Sequence, residues 1–201
     1  RLQPGQAMAA ITKDAGDDPD VTHGAIVRVV VDPGEPGGGV SFAGGEGIGT
    51  VTLPGLPLPV GEPAINPKPR EYITANITAA AERLGVAPDV RVTVSIDDGA
   101  RIAEKTWNSR IGVLGGLSVL GTTGVVVPYS CSAWIASIHR GIDVAIATGA
   151  THAAACTGST SERVAEELYP GIELLDMGDF AGAVLKYLRK HPLPTLTIVG
   201  G

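Results

Sequence analysis

No charged side chain occurs between Ile111 and Ile138. An uncharged stretch of that length could cross a bilayer, so it decides first whether the chain is membrane-bound or globular. Its composition argues against a span. It contains five glycines, the Thr122-Thr123 pair, several serines and Pro128, and it lacks a basic flank confined to one side. The stretch instead predicts a buried strand and loop followed by a helix. With 201 residues, 44% of them hydrophobic, the chain can bury one large or two small cores. Gly (28) and Pro (15) are abundant beside 18% charged residues, which predicts many turns and close backbone approaches.

Lys and Arg number 15 against 21 Asp and Glu, a net charge of -6, so no basic field is available for nucleic acid or an acidic membrane. Neither is expected as a partner. Cys131 and Cys156 have neither the number nor the spacing of a disulfide framework or zinc ribbon, and suit a reducing compartment. No signal peptide is read at the start, and the cytoplasm is the expected location. The opening Arg1 and the closing Gly200-Gly201 after an apolar run give the expectation that both ends are truncated.

Hydrophobic rhythm divides the chain near Val127. In residues 1–127, the β-branched run Ala25 to Val31, the breakers Asp32 to Gly39 and the run Val40 to Phe42 predict a strand, a turn and a returning strand. Arg91 to Ile96 alternates with period two, and Asp97-Asp98-Gly99 turning into Ala100 to Lys105 predicts a second hairpin. Ile73, Ile77, Ala80, Ala81 and Leu84 recur at helical spacing, introduced by Pro67 and Pro69 and ended by Gly85. This is an α+β domain, a mixed sheet with a helix on one face. In residues 128–201, a helix through Trp134, Ile135 and Ile138 is expected to stop at Gly141, followed by a strand at Val144 to Ala147. Ser159-Thr160-Ser161-Glu162 matches a capping box opening a helix to Leu168. A strand at Ile172 to Leu175, a helix at Phe180 to Lys190 and a strand at Thr195 to Val199 complete a Rossmann-like βαβαβ unit, expected to be incomplete. The fold class is α/β overall.

Several clusters could carry chemistry. Lys13 to Gly24 places Asp14, Asp17, Asp18, Asp20 and His23 together but does not match a calcium loop. It reads as a self-capping acidic turn, a metal site, or a polar rim ordering the Gly16 turn against a ligand. The glycines of Gly44 to Thr50 could expose backbone N–H groups to an anion or make a tight turn. Gly61 to Pro67 is stiffened by prolines and holds Glu62 and Asn66 in set directions ahead of Arg70, either as a polar wall or as a connector. Lys105, Asn108 and Arg110 precede a glycine-rich run with Thr122 and Thr123, a composition suited to holding carboxylates, although packing also accounts for the glycines. In the second half Thr148-Gly149 is read as a strand end and Thr157-Gly158-Ser159 as the opening of the next helix, where ligands of parallel sheets sit. Asp176 is placed to hold ribose hydroxyls, whereas Asp179 reads equally as a helix cap. His139, His152, His191 and both cysteines lack partners at recognisable spacing and receive no catalytic role.

Four blocks taken in order, Lys13 to Ala25, Gly44 to Thr52, Val60 to Arg70 and Lys105 to Gly124, resemble the CbiD family of cobalamin biosynthesis. Thr157 to Glu162 and Met177 to Phe180 are similar more loosely. The chain departs from the family where Ser159-Thr160 stands in place of an arginine and near Val127. It also lacks the family's amino-terminal Gly-x-Thr-Thr-Gly block and its carboxy-terminal Gly-Lys-rich segment. The resemblance implies methyl transfer from S-adenosylmethionine to C-1 of cobalt-precorrin-5B, with cobalt present only in the substrate and no protein-bound metal. It implies a tetrapyrrole as partner and is compatible with a homo-oligomer. The first domain would face the corrinoid and the second would hold the methyl donor. Arg70, Lys105 and Arg110 would anchor the substrate carboxylates. Asp17, Asp18, His23, Glu62 and Asn108 would orient the ring beside Thr122 and Thr123, and Gly149, Thr157, Gly158 and Asp176 would hold the donor. The alternative is a non-enzymatic corrinoid or nucleotide carrier of the same fold.

Overall fold

The computed structural model describes residues 2–120, 127 and 129–200. They form two compact units: Arg1–Thr52 with Pro57–Tyr129, and Leu53–Leu56 with Ser130–Gly201. The first unit runs β1 (Ala7–Thr12), β2 (Ile26–Pro33), β3 (Val40–Gly44), β4 (Thr50–Val51), helix α1 (Pro67–Leu84), β5 (Val90–Ile96), helix α2 (Gly99–Ala103), a single 3-10 turn at Asn108–Ile111 and β6 (Val113–Leu114). The main sheet has the order β1-β2-β5-β3 and is mixed: β2 lies antiparallel to β1 and β5, while β3 is parallel to β5.

Both expected hairpins are corrected. β3 does not return along β2, because β5 is inserted between them. The Asp32 to Gly39 breaker is tied to the start of β5 instead. Asp89 accepts hydrogen bonds from the N–H groups of Gly37 and Gly39, each at 2.8 Å, and Gly34 N–H donates to the Asp89 carbonyl at 2.9 Å. These N–H donors hold the half-buried Asp89 carboxyl below its ordinary pKa. The segment after Asp97-Asp98-Gly99 is helix α2, not a strand. Asp98, at φ 54°, reverses the chain into Ala-Arg-Ile-Ala, all tolerated in helices, and Ile102 packs against the core. β1 carries little strand signal because three of its six residues are alanine.

Helix α1 forms as its periodicity predicts. Pro occupies its first turn, and it ends at Gly85, whose N–H donates to Glu82 O while Val86 N–H reaches Ala81 O at 3.1 Å. Its apolar face places Ile73 and Ile77 over Val92, Val94 and Ile96, the buried face of β5.

The second unit contains α3 (Cys131–Ala147), β7 (His152–Cys156), α4 (Ser159–Leu168), β8 (Glu173–Asp176), α5 (Ala181–Leu188) and β9 (Thr195–Val199). Its sheet, β8-β7-β9, is entirely parallel. The expected strand at Val144 to Ala147 is the last turn of α3, and β7 begins later, at His152. Gly141 does not stop the helix, because Ile138, Ile142 and Ala145 continue one buried stripe across it. A Cβ at Gly141 would lie 3.4 Å from Leu175 Cδ2, so this position is where helix and sheet approach. Ala153 and Ala155 of β7 face α3 and α5, whereas Ala154 and Cys156 face α4. The small side chains of this central strand let helices cover both faces, as parallel sheets require.

Candidate functional site

Strand directions bring the four sequence blocks of the first unit to one end of its sheet. Thr12 pairs with Ile26, Val27 with Ile96 and Gly44 with Val94, so the end of β1, the start of β2 and the ends of β3 and β5 share one edge. The loops leaving that edge are stitched by backbone hydrogen bonds. Val51 N–H donates to Glu62 O at 3.0 Å, Ala64 N–H to Gly49 O at 2.8 Å, Thr52 N–H to Gly112 O at 2.7 Å and Leu117 N–H to Gly47 O at 2.9 Å. The second and third blocks and the described part of the fourth therefore form one stitched loop layer.

This stitching decides the role of the first glycine loop. The N–H groups of Gly45, Ile48 and Gly49 are spent on Val94 O, Gly45 O and Leu117 O, so they are not available to an anion. Gly47 adopts φ 75°, and a Cβ there would stand 2.0 Å from Ile96 O. Gly116 is equally constrained, since a Cβ would meet Gly47 O at 2.4 Å. Both positions bring backbone against backbone, which for Gly116 is the packing alternative left open by the sequence.

Arg70, expected as a carboxylate anchor, is occupied within the protein. Its guanidinium donates to Glu62 at 3.0 Å, Ile65 O at 2.8 Å and Pro63 O at 3.3 Å, and lies 5.5 Å from the centre of the Phe42 ring. Its side chain is 25% exposed. It clamps the Glu62 loop onto the first turn of α1. Asn108 likewise binds its own loop, donating to Gly116 O at 3.3 Å and lying 3.4 Å from the Ser118 hydroxyl. Lys105 and Arg110 are exposed, and Arg110 lies 5.6 Å from the Trp107 ring centre.

The acidic turn is largely self-organised. Asp14 accepts from Gly16 N–H at 2.9 Å, and Lys13 binds both Asp20 and the Thr22 hydroxyl. Burial opposes ionisation of Asp20, but the bonds from Lys13 and Thr22 outweigh it and hold its carboxyl below the usual range. His23 Nδ1 accepts from Ala15 N–H at 3.1 Å, which leaves Nε2 to carry the proton in the neutral ring. Asp17 is exposed, its carbonyl accepting from the Tyr129 hydroxyl at 2.8 Å, and Asp18 is half-buried. Thr122 and Thr123 lie outside the described residues. Among the described residues, no group of three or more His, Cys, Asp or Glu side chains could hold a metal, and no helix is long and apolar enough to cross a membrane.

In the second unit Thr157, Gly158 and Asp176 gather where β7 and β8 end. Met177 N–H donates to Cys156 O at 2.7 Å, and Thr157 N–H to Val199 O at 3.2 Å. The cap of α4 is shifted by one residue from the expected box: Gly158 is the N-cap, and its N–H donates to the Ser161 hydroxyl at 3.0 Å. Phe180, not Asp179, is the N-cap of α5. Gly149 is not part of this group. It closes α3 at φ 83°, with Gly149 N–H on Ile146 O and Ala150 N–H on Ala145 O, a Schellman ending. It precedes β7 and therefore sits at the opposite sheet edge, beside an open depression of about 660 Å³ lined by Thr148 to His152 and Leu168 to Glu173. The carboxyl ends of parallel strands are the usual ligand edge, which favours the Thr157–Asp176 end over that depression. Trp134, which the sequence marks only as a helix residue, stands 45% exposed at that same end.

A family model described as CbiD matches residues 1–128. Proteins called cobalt-precorrin-5B C(1)-methyltransferase match along nearly all of the chain. The Bradyrhizobium sp. (strain BTAi1) protein is 58% identical over 98% of this chain and 53% of its own length. The Brucella anthropi protein is 59% identical over 100% of this chain and 55% of its own. The chain thus spans about half the length of the curated relatives it matches. A crystal structure of the cobalamin biosynthesis protein CbiD from Archaeoglobus fulgidus matches with 27% identity and a TM-score of 0.48, over 96% of this chain and 60% of that one. With its family model covering well over half of its residues, the chain belongs to the CbiD family.

Proposed function

We propose that this chain supplies much of an S-adenosylmethionine-dependent methyltransferase acting on C-1 of cobalt-precorrin-5B in cobalamin biosynthesis. The observation that carries this reading is the assembly of the sequence blocks as one stitched loop layer at a single sheet edge, in a chain 58% identical to proteins bearing that name. The cobalt enters with the tetrapyrrole. The methyl group leaves the sulfonium, whose sulfur keeps the bonding pair, and the ring carbon supplies the pair for the new C–C bond. That displacement needs alignment above all, so the protein's work is to hold and orient.

In the first unit Lys105 and Arg110 carry the exposed positive charge for substrate carboxylates. Arg70 is a positioning residue that sets the direction of Glu62, while Asn108 stiffens the loop presenting Lys105 and Arg110. Asp17, Asp18 and His23 form the polar rim, and Thr122 and Thr123 complete the block. In the second unit the acceptors of Asp176 and the hydroxyl of Thr157 suit ribose hydroxyls, with Gly158 leaving room beside them: a Cβ there would meet nothing within 4 Å. Gly149 drops out of the donor set. A cytoplasmic enzyme with a small-molecule partner is the setting this implies.

Isotope transfer tests the reading. The chain, alone and carried within the full length of the Brucella anthropi relative, is incubated with methyl-labelled S-adenosylmethionine and cobalt-precorrin-5B. Label in the corrinoid is expected, and tight binding of both ligands without transfer would point to a carrier. Lys105→Ala with Arg110→Ala should weaken precursor binding about tenfold or more, as loss of charge-assisted bonds does, and leave donor binding unchanged. Equal loss of both affinities would overturn the division of roles.

A further inference from the structure

Beside Asp176 stands an aromatic surface with no part in the roles above. Trp134 lies in the first turn of α3, and its side chain remains 45% exposed, a costly placement for a large apolar ring. One edge of the indole rests on Gly178: a Cβ built there would lie 3.6 Å from Trp134 Nε1 and 3.8 Å from Cε2 and Cζ2. Phe180 supports it with ring centres 6.5 Å apart and planes inclined at 35°, and Phe180 is itself packed against the core of the unit. Gly178 N–H donates to Asp176 Oδ1 at 3.2 Å. One tight turn, Asp176-Met177-Gly178, therefore joins the carboxylate at the end of β8 to the indole.

Resting on the donor assignment above, we propose that Trp134, braced by Phe180, is the stacking wall for the adenine ring of the methyl donor. An acid at the end of the second strand of a βαβ unit is placed for ribose hydroxyls. The base is joined to that ribose by a single bond, so whatever receives it must stand next to the acid, as Trp134 does. An indole offers a broad π-face to a purine, and its two-angle side chain loses little freedom on stacking. The unit's other large rings stand elsewhere. Tyr169 packs edge-on against His152 beside the opposite sheet edge, and Tyr187 is stacked between His139 and His191.

The chain has two tryptophans, so Trp107→Phe leaves Trp134 as the only indole emitter. Titration of that variant with S-adenosylhomocysteine, and separately with adenosine, should quench its emission saturably. By calorimetry, Trp134→Ala should bind S-adenosylhomocysteine about tenfold more weakly, the scale of a lost base–aromatic stack, while Trp134→Phe retains most of the affinity. Circular dichroism checks that both variants fold. Binding of S-adenosylhomocysteine to the parent chain with unchanged Trp134 emission and undiminished affinity in Trp134→Ala overturns this proposal and leaves the donor assignment standing. Absence of binding to the parent chain, both alone and within the full-length relative, overturns the donor assignment and this proposal together.

Discussion

Glycine at position 47 and glycine at position 61 look alike in the sequence, both punctuating loops that follow short strands, yet they answer to different constraints. A Cβ at Gly47 would be 2.0 Å from Ile96 O, whereas one at Gly61 meets nothing within 4 Å, although both residues have positive φ. Gly61→Ala should cost only the backbone strain of a left-handed alanine, about 1–2 kcal/mol. Gly47→Ala adds a backbone collision that forces the loop layer apart, and should cost roughly 3–5 kcal/mol, near the upper range of single substitutions. Urea denaturation of both variants reads the difference, and equal midpoints would refute the close approach. The blocks were legible in the sequence as runs of special residues. Which glycines pack backbone against backbone was not, because the atoms that exclude a Cβ come from segments distant along the chain. Arg70 teaches the same lesson. A cation in a polar loop suits a bound carboxylate equally well, and only the fold shows that the carboxylate is Glu62.

At the scale of elements, α3 and β7 show where local pattern misleads. Val144-Ala145-Ile146-Ala147 is short, apolar and bounded by Thr148-Gly149, which suits a buried strand as well as a helix end. Packing decides it, since the stripe Ile138, Ile142, Ala145 is buried only if the helix continues through Gly141. Ala in place of Gly141 should therefore stabilise the protein by about 0.5–1 kcal/mol through helix propensity, since the added methyl would only touch a flexible Leu175 side chain at 3.4 Å. Thermal melting checks this, and a loss of stability would argue against an uninterrupted helix. The strand of the unit is instead His152 to Cys156, whose alanines carry weak strand propensity and become a strand because two layers of helix close over them. By contrast α1, α4 and β9 were readable in advance, as each has its own periodicity or caps within a few residues.

At the scale of the whole molecule, the response to pH just below neutrality, and part of the alkaline response, should come from a small group in the second unit. His139 stacks on Tyr187 at 3.8 Å between ring centres, Tyr187 donates to Asp143 at 2.7 Å, and Arg140 and His191 complete the surroundings. Burial first, partly offset by Asp143, pulls the His139 pKa below its ordinary 6.5. The unfolded chain then binds the proton more readily, so this stabilisation is present above pH 6.5 and is lost as pH falls toward the lowered value. Burial first, then the bond to Asp143, pushes Tyr187 from 10.0 up to about 12. Its contribution is complete below pH 10 and declines as pH rises toward 12. Melting temperatures followed across pH should show a plateau with both shoulders. His139→Leu should flatten the acid shoulder and Tyr187→Phe the alkaline one, and unaltered shoulders in these variants would refute the assignment.

Taken alone, the order of residues determined the family, the amphipathic helix Pro67–Leu84, the parallel βαβ character of the second half and the positions of the polar blocks, because each is written in neighbouring side chains. Tertiary structure decided which strands pair, that Arg70 is spent internally, that Gly149 lies at the opposite end of the sheet from Thr157, Gly158 and Asp176, and that Trp134 stands beside Asp176. Those outcomes depend on partners brought together across long stretches of chain, where the free energy of burial and hydrogen bonding outweighs local preference.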